Sequence, residues 1–202
     1  RLDITRETDV QRIFDDFEPD IVINAAAMTQ VDACESDREQ CWRVNADAVD
    51  ILARCCRDHG ARLIQVSTDF IFDGKDGPYK EDARPNPISY YGRSKLAGEN
   101  NARTAGTNRW AIVRTVLVFG APQADGRSNF VTWVHDKLKS GQRIQVVTDQ
   151  WRTPTWVVDL ADGIERIVRF RKSGVFHISG RDLLSVNVFA HRIAEVAGLE
   201  PP

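Results

Sequence analysis

Two residues with complementary chemistry lie one helical turn apart in the segment Tyr91-Gly92-Arg93-Ser94-Lys95. Side chains four positions apart share one face of a helix. A free phenol has a pKa of about 10, too high for acid-base chemistry near neutrality, and an adjacent ammonium group lowers it. The spacing therefore predicts a tuned proton donor beside a cation that can hold a ribose hydroxyl. Chance also produces this spacing in many surface helices, so the pair needs support from elsewhere in the chain.

That support comes from Ser67-Thr68-Asp69, which follows the apolar run Leu63 to Val66. Ligands of open α/β sheets bind beyond the carboxyl ends of the strands. A hydroxyl at this point can bind a substrate carbonyl oxygen that Tyr91 would protonate. A turn or a helix cap is the alternative for these residue types.

Two further features could belong to the same site. Asn24-Ala25-Ala26-Ala27 ends another apolar run, and its small side chains would let a bulky ligand approach the backbone. Simple helix–strand packing explains this run equally well. Asn45 lies in a helical segment, where asparagine is a poor helix former, so it could hold a water or a neighbouring backbone group. A solvent-facing Asn45 is the alternative.

Composition excludes several classes of protein. The chain has 202 residues and a formal net charge of -2, which does not favour nucleic acid as a partner. No apolar run approaches the roughly 20 residues that span a bilayer, and the first residues are not a signal peptide. No metal site is expected, because the cysteines lack Cys-x-x-Cys spacing. They are predicted to be small, partly buried thiols in a reducing cytoplasm: Cys34, Cys41, Cys55 and Cys56.

The elements that would position these residues alternate between short β-rich runs and longer helical ones. This pattern predicts a parallel sheet with helices on both faces. The predicted strands are 21–25, 62–67, 110–118, 143–147 and 175–178. The predicted helices are 9–17 with Thr8 as N-cap, 35–59 with Gly60 as stop signal, 89–103, 129–139, 156–171 and 186–197.

The rhythm changes near residue 120, which predicts two regions. Residues 1–120 would form a dinucleotide-binding domain, and residues 121–202 a smaller, mixed α/β substrate-binding region. No Gly-x-x-Gly-x-x-Gly follows a strand. A dinucleotide fold normally opens with that strand, turn and helix, so we expect the chain to be a fragment without its N-terminal glycine-rich unit.

Together these segments resemble the dTDP-4-dehydrorhamnose reductase family of extended short-chain dehydrogenases/reductases, in order and over nearly the whole chain. The matching segments are Asn24-Ala25-Ala26-Ala27, Thr29-x-Val31-Asp32, Glu35, Val44-Asn45-Ala46, Ser67-Thr68-Asp69-x-x-Phe72-Asp73-Gly74, Pro78-Tyr79-x-Glu81-Asp82, Asn86-Pro87, Tyr91-Gly92-x-Ser94-Lys95-Leu96-Ala97-Gly98-Glu99, Arg114-Thr115, Phe119-Gly120, Asn129-Phe130, Asp149-Gln150-x-x-x-Pro154-Thr155 and Phe176-His177-Ile178-Ser179-Gly180.

The resemblance implies a Rossmann-like fold and reduction of a keto group on a nucleotide-linked sugar by NADP or NAD, as in dTDP-L-rhamnose synthesis. It implies Thr68, Tyr91 and Lys95 as catalytic residues, with Asn45 supporting Lys95 through a water. The implied cofactor-binding residues are Asn24, Ala25, Ala26, Asn45, Ser67, Tyr91 and Lys95. The implied substrate-binding residues are Asp69, Phe70, Asn129, Gln150, Pro154 and Thr155.

The chain departs from the family pattern on the substrate side. Phe70 and Met28 stand where the family usually has tyrosine, and Val116-Leu117 replace Ser-Trp. These departures put the identity of the sugar in doubt more than the type of reaction. Two alternatives remain: an epimerase of the same superfamily, and a non-catalytic nucleotide-binding regulatory subunit. The sequence leaves NAD versus NADP preference and a possible homodimer open.

Overall fold

A computed structural model of the protein describes residues 2–121 and 128–202, and it shows an α/β fold with a parallel sheet of the Rossmann type. The predicted strand over residues 143–147 is wrong, because this segment is irregular. The strands are β1 (Ile21–Asn24), β2 (Arg62–Thr68), β3 (Trp110–Thr115), β4 (Val118–Phe119), β5 (Trp151–Arg152), β6 (Thr155–Trp156), β7 (Gly174–His177) and β8 (Leu184–Ser185). The helices are α1 (Glu7–Phe17), α2 (Val31–Ser36), α3 (Arg38–Trp42), α4 (Ala48–His59), α5 (Tyr90–Ala102), α6 (Phe130–Lys139), α7 (Val157–Arg169) and α8 (Val186–Ala197).

The chain divides into two compact units. The first contains Arg1–Arg114 and Ile164–His177, and the second contains Thr115–Gly163 and Ile178–Pro202. The second half of α7 and the strand β7 thus belong to the first unit. The chain therefore passes between the units more than once, whereas a single boundary near residue 120 allows only one passage. The return has a physical reason, since β7 pairs in parallel with β3 and completes the sheet.

The first unit contains a four-stranded sheet in the order β1-β2-β3-β7. Its strands β1 and β2 pair in parallel, with Ile21 opposite Arg62 and Asn24 opposite Gln65. The main core lies where apolar residues of α1 and α4 meet β2 and β3, among them Val10, Leu52 and Leu63. Because the strands are parallel, Asn24 and Thr68 end their strands at the same edge of the sheet.

The predicted long helix over residues 35–59 is interrupted. Asp37 leaves the helical region with a φ of −124° and caps α3 by accepting a hydrogen bond from Gln40. A π-helical turn over Arg43–Asp47 then connects α3 to α4. The predicted stop at Gly60 is confirmed, since this residue has a left-handed φ of 73° after His59. Thr8 lies inside α1, and Arg6 occupies the N-cap position.

The second unit has its own core between α6 and α8. Val134 and Ala190 are fully buried there, and Phe130 stacks on Phe189 with ring centroids 5.7 Å apart. Two short strand pairs accompany these helices, β4 with β6 and β5 with β8. Within the described residues, no helix is long and apolar enough to cross a membrane.

Candidate active site

Helix α5 carries both Tyr91 and Lys95 and begins at a capped residue. The Ser89 hydroxyl accepts a hydrogen bond from the Gly92 backbone N–H, which fixes the first turn of the helix. Gly92 lies against the Phe70 carbonyl oxygen, where a Cβ atom would collide with the backbone. The helix can therefore lie close to the end of β2 with Tyr91 and Lys95 on its buried face, 7% and 4% exposed.

The phenol of Tyr91 faces the hydroxyl of Thr68, which acts to lower the pKa of Tyr91. Thr68 is the last residue of β2, and its hydroxyl also donates to the Asp69 carboxylate over 3.1 Å. The Phe70 ring packs edge-on against Tyr91, with centroids 5.5 Å apart. The structure thus brings together four residues that the sequence predicted for one site.

The electrostatics of Tyr91 differ from the prediction. Burial raises the pKa of Tyr91 to about 12, and the neighbouring Thr68 hydroxyl opposes this shift. The predicted lowering of this pKa is therefore wrong for this arrangement. Two features of the geometry explain the difference. The Lys95 ammonium donates to the Val66 carbonyl oxygen over 2.8 Å, and Tyr91 lies in an apolar cluster with Cys34 and Cys41, which disfavours the phenolate.

Lys95 is a buried cation of this site, at 4% exposure. Burial lowers its pKa to about 8, and the Glu99 carboxylate opposes the shift. Lys95 therefore keeps its charge at neutral pH. An ammonium group has three N–H donors, and the Val66 carbonyl takes one of them. The remaining donors suit neighbouring hydroxyl groups of a ligand such as a ribose.

The end of β1 is locked by a side-chain amide. Asn24 donates to the Gln65 side chain over 2.8 Å and accepts from the Ala26 backbone N–H over 3.1 Å. This lock turns the chain after the strand and leaves Ala25 and Ala26 exposed. Asn24 thus holds the backbone in shape, and a flat ligand could lie against the two alanines.

The Asn45 side chain bonds to the Met28 backbone and to Ser94. Its amide donates to the Met28 carbonyl oxygen and accepts from the Met28 backbone N–H, both over 2.9 Å, and it also donates to Ser94. The amide is almost fully buried in the π-helical turn, so the solvent-facing alternative is wrong. It fixes the segment that follows β1 against α5.

Sequence reasoning gave no role to Glu99. Its fully buried carboxylate accepts from the Ser67 hydroxyl over 2.7 Å and from Arg114 Nε and Nη2 over 2.9 and 2.8 Å. The signal was present in the sequence, since Glu99 lies one turn after Lys95 on the same helix face. Ser67, predicted to bind a cofactor, has its hydroxyl directed to this carboxylate.

The remaining predicted residues lie in the second unit. Asn129 caps α6 by accepting from the backbone N–H groups of Val131 and Thr132, and its amide donates to the Gly120 carbonyl oxygen. The buried Thr155 hydroxyl donates to the Val116 carbonyl oxygen over 2.6 Å. Pro154 lies against Gly180, while Gln150 is exposed. The polar side chains of Asn129 and Thr155 are therefore bonded to the protein backbone, whereas the polar side chain of Gln150 is accessible to a ligand.

Comparisons with known proteins agree with this arrangement. The dTDP-4-dehydrorhamnose reductase of Burkholderia thailandensis is 36% identical over 201 residues, which cover 95% of this chain and 66% of that protein. A crystal structure of a dTDP-4-dehydrorhamnose reductase from Clostridium acetobutylicum has a TM-score of 0.92 at 36% identity, covering 100% of this chain and 70% of that one. A Bacillus anthracis dTDP-4-dehydrorhamnose reductase solved in complex with NADP has a TM-score of 0.93 at 33% identity, with the same coverages of 100% and 70%. The chain spans about two thirds of the length of the curated relatives that it matches first.

The parallel sheet, together with Thr68 at a strand end and the Tyr91/Lys95 helix, defines an extended short-chain dehydrogenase/reductase. The chain belongs to the RmlD substrate binding domain family, whose profile matches residues 1–202.

Proposed function

We propose that the protein is an NAD(P)H-dependent reductase of a keto group on a nucleotide-linked sugar. The observation that carries this proposal is the buried Tyr91 phenol placed against the Thr68 hydroxyl, with Lys95 one turn further along α5. Relatives at 36% identity that are named dTDP-4-dehydrorhamnose reductases support the finer proposal, which is formation of dTDP-L-rhamnose.

The residues present fit a nicotinamide dinucleotide. Lys95 has N–H donors beyond the one that Val66 takes, and the exposed Ala25 and Ala26 leave the backbone accessible after β1. A bound nicotinamide would supply the hydride. The bound NADP of the Bacillus anthracis reductase supports this choice of cofactor.

The roles of the side chains follow from their chemistry. Tyr91 stays protonated at neutral pH, because burial raises its pKa to about 12, and it therefore acts as the proton donor. An alkoxide that forms as the carbonyl is reduced is a stronger base than a phenolate, so proton transfer from Tyr91 is downhill. Thr68 orients the carbonyl oxygen, and Lys95 holds the ribose hydroxyls.

The choice of sugar would depend on the side chains that depart from the family pattern. Phe70 packs against Tyr91 and presents no hydroxyl where the family has tyrosine. Met28 is held through its backbone by Asn45, so its side chain is placed beside the same cluster. We propose that the first unit binds the dinucleotide and that the second binds the sugar nucleotide, with Gln150 as a polar contact of the substrate.

The substitution Tyr91→Phe, made in the full-length protein, tests this function. It removes the proton donor and keeps the ring. We expect turnover to fall by roughly 10²–10⁴-fold with little change in cofactor affinity, measured by oxidation of NADPH and NADH with dTDP-4-keto-6-deoxy sugars.

Tyr90→Phe is the matched control. Tyr90 lies on the same helix, and its ring packs against Trp42 and under the Arg38 guanidinium. Phenylalanine keeps the ring and therefore both contacts. This variant should keep its turnover. Unchanged turnover in Tyr91→Phe would refute the mechanism, and no turnover of the unmutated protein on several keto sugars would favour the regulatory binding subunit.

A further inference from the structure

Three consecutive residues at the end of β2 each meet a different side chain of α5. The Val66 carbonyl accepts from Lys95, the Ser67 hydroxyl donates to Glu99, and the Thr68 hydroxyl faces the Tyr91 phenol. The outer two contacts belong to the residues of the proposed reaction. The middle contact belongs to the Glu99 carboxylate, which has no role in the proposed reaction.

The Glu99 carboxylate is held from two further directions. Arg114 of β3 binds both of its oxygens, and Arg103 lies 3.7 Å from one of them. Both Glu99 and Arg114 are almost inaccessible to solvent, at 0% and 4% exposure. A buried ion pair of this kind is weak evidence for stability, because desolvation of the two charges offsets their attraction. The position of the pair therefore calls for an explanation in terms of its neighbours.

The nearest consequence concerns the charge of Lys95. Burial drives this ammonium towards its neutral form, and Glu99 acts against it from one turn away on the same helix. The other titratable group that acts on Lys95 is the Cys41 thiol of α3. Asp69 and Cys34 act on Tyr91 instead, and Arg114 and Arg103 act on Glu99.

We propose that Glu99 is a positioning residue, whose carboxylate keeps the Lys95 ammonium charged and holds the end of β2 in register with α5. This inference rests on the proposed reductase function, in which Lys95 must carry its charge. It explains why a carboxylate occupies a fully buried site where an apolar side chain would pack at lower desolvation cost.

The direct test is the titration of Lys95 itself, followed by NMR of the lysine side-chain carbon and nitrogen atoms in isotope-labelled protein. The Lys95→Met variant assigns the signal. In Glu99→Gln, which keeps the size of the side chain, we expect the pKa of Lys95 to fall by about one unit or more. The control Glu39→Gln, which removes an exposed carboxylate of the same unit, should leave it unchanged. A folded Glu99→Gln protein with an unchanged Lys95 titration overturns the proposal.

Loss of the Glu99 charge could unfold the protein by leaving Arg114 unpaired in the core. The double variant Glu99→Gln/Arg114→Met removes both charges. This variant removes a negative and a positive charge together, so the pKa of Lys95 should still fall, but by less than in Glu99→Gln. An unchanged value there would contradict the proposal as well.

The pH profile of turnover gives a second readout that a purely structural role would not produce. Activity requires charged Lys95, so it should decline as pH rises through the pKa of this group. In Glu99→Gln the decline should begin about one pH unit lower, and turnover near pH 6 should recover towards the unmutated value. Glu99→Asp, which retains the charge, should restore most of the profile. A uniform loss at every pH would instead mark Glu99 as structural and overturn the proposal.

These results separate the two proposals. The Lys95 titration needs no substrate, so it can succeed or fail whether or not the protein reduces a sugar. Absence of turnover in the unmutated protein would refute the reductase function without affecting the titration.

Discussion

Lys95 carries a charge at a site that is only 4% exposed, and burial disfavours that charge. Its pKa falls from the ordinary value of 10.5 to about 8, which means that the folded protein disfavours the charged form. Tyr91 shows the same effect of burial on an acid, with its pKa raised to about 12. Burial is the largest cause at both residues, opposed by Glu99 at Lys95 and by the Thr68 hydroxyl at Tyr91. A protonated phenol and a charged ammonium are therefore the state at neutral pH.

The first consequence is a stability gain in Lys95→Met. Below pH 8 the lysine is charged in both the folded and unfolded states, so the full penalty of burying the charge applies. Above the unfolded pKa both forms are neutral and the penalty is gone. Methionine should therefore raise the free energy of unfolding by roughly 1–3 kcal/mol at pH 7, with the gain shrinking between pH 8 and pH 10.5.

Urea unfolding of the two proteins at several pH values measures this gain. The exposed Lys172→Met serves as control, because its ammonium is not buried. A loss of stability in Lys95→Met at pH 7 would show that the Val66 hydrogen bond outweighs the cost of burying the charge.

At the scale of elements, the docking of α5 depends on two close backbone approaches. Gly92 lies against the Phe70 carbonyl oxygen and Gly98 against the Asn45 carbonyl oxygen, in each case too close for a Cβ atom. The π-helical turn at Arg43–Asp47 supplies the second of these carbonyl groups. A bulge in one helix and a glycine in its neighbour together bring Tyr91 and Lys95 to the strand end.

Gly98→Ala should therefore destabilise the protein, although alanine is the better helix former by about 1 kcal/mol. The collision with backbone cannot be relieved by a side-chain rotation, so we expect a net loss of about 1–3 kcal/mol in urea unfolding. Gly163→Ala in α7 is the matched comparison, because there the new Cβ meets only the Ile178 side chain, which can move. Equal stabilities for the two variants would show that the approach of α5 is less constrained than the structure indicates.

At the scale of the whole molecule, the proposed roles divide between the two units. The residues proposed for acid-base chemistry and for the dinucleotide all lie in the first unit. Of the polar side chains proposed for the sugar nucleotide in the second unit, Asn129 and Thr155 are committed to the cap of α6 and to the backbone of Val116. Gln150 is exposed, and its amide oxygen accepts from Arg152.

Gln150→Ala should therefore affect the sugar and spare the cofactor. We expect KM for the keto sugar to rise about five- to ten-fold, the size of one lost hydrogen bond, with the Kd for NADPH unchanged. Gln142→Ala removes an equally exposed glutamine of the same unit, which bonds with Lys137, and should leave both constants unchanged. An effect of Gln150→Ala on NADPH binding alone would refute the assignment of this unit to the substrate.

The sequence determined the class of the protein and the residues of its reactive pair. Alternating β-rich and helical runs set the parallel sheet, and the spacing of Tyr91 and Lys95 set their common helix face, because both patterns are local and repeat with the period of their element. The position of Thr68 at a strand end was predictable for the same reason.

Only the tertiary structure decided the environment of those residues. The raised pKa of Tyr91, the contact of Lys95 with Val66 and the burial of Glu99 between Ser67 and Arg114 all depend on contacts between distant segments. The return of β7 to the first unit and the π-helical turn at Arg43–Asp47 have the same origin. Local spacing fixes which side chains share a face. The loss of water around them, which sets their protonation, is fixed only when remote parts of the chain pack over that face.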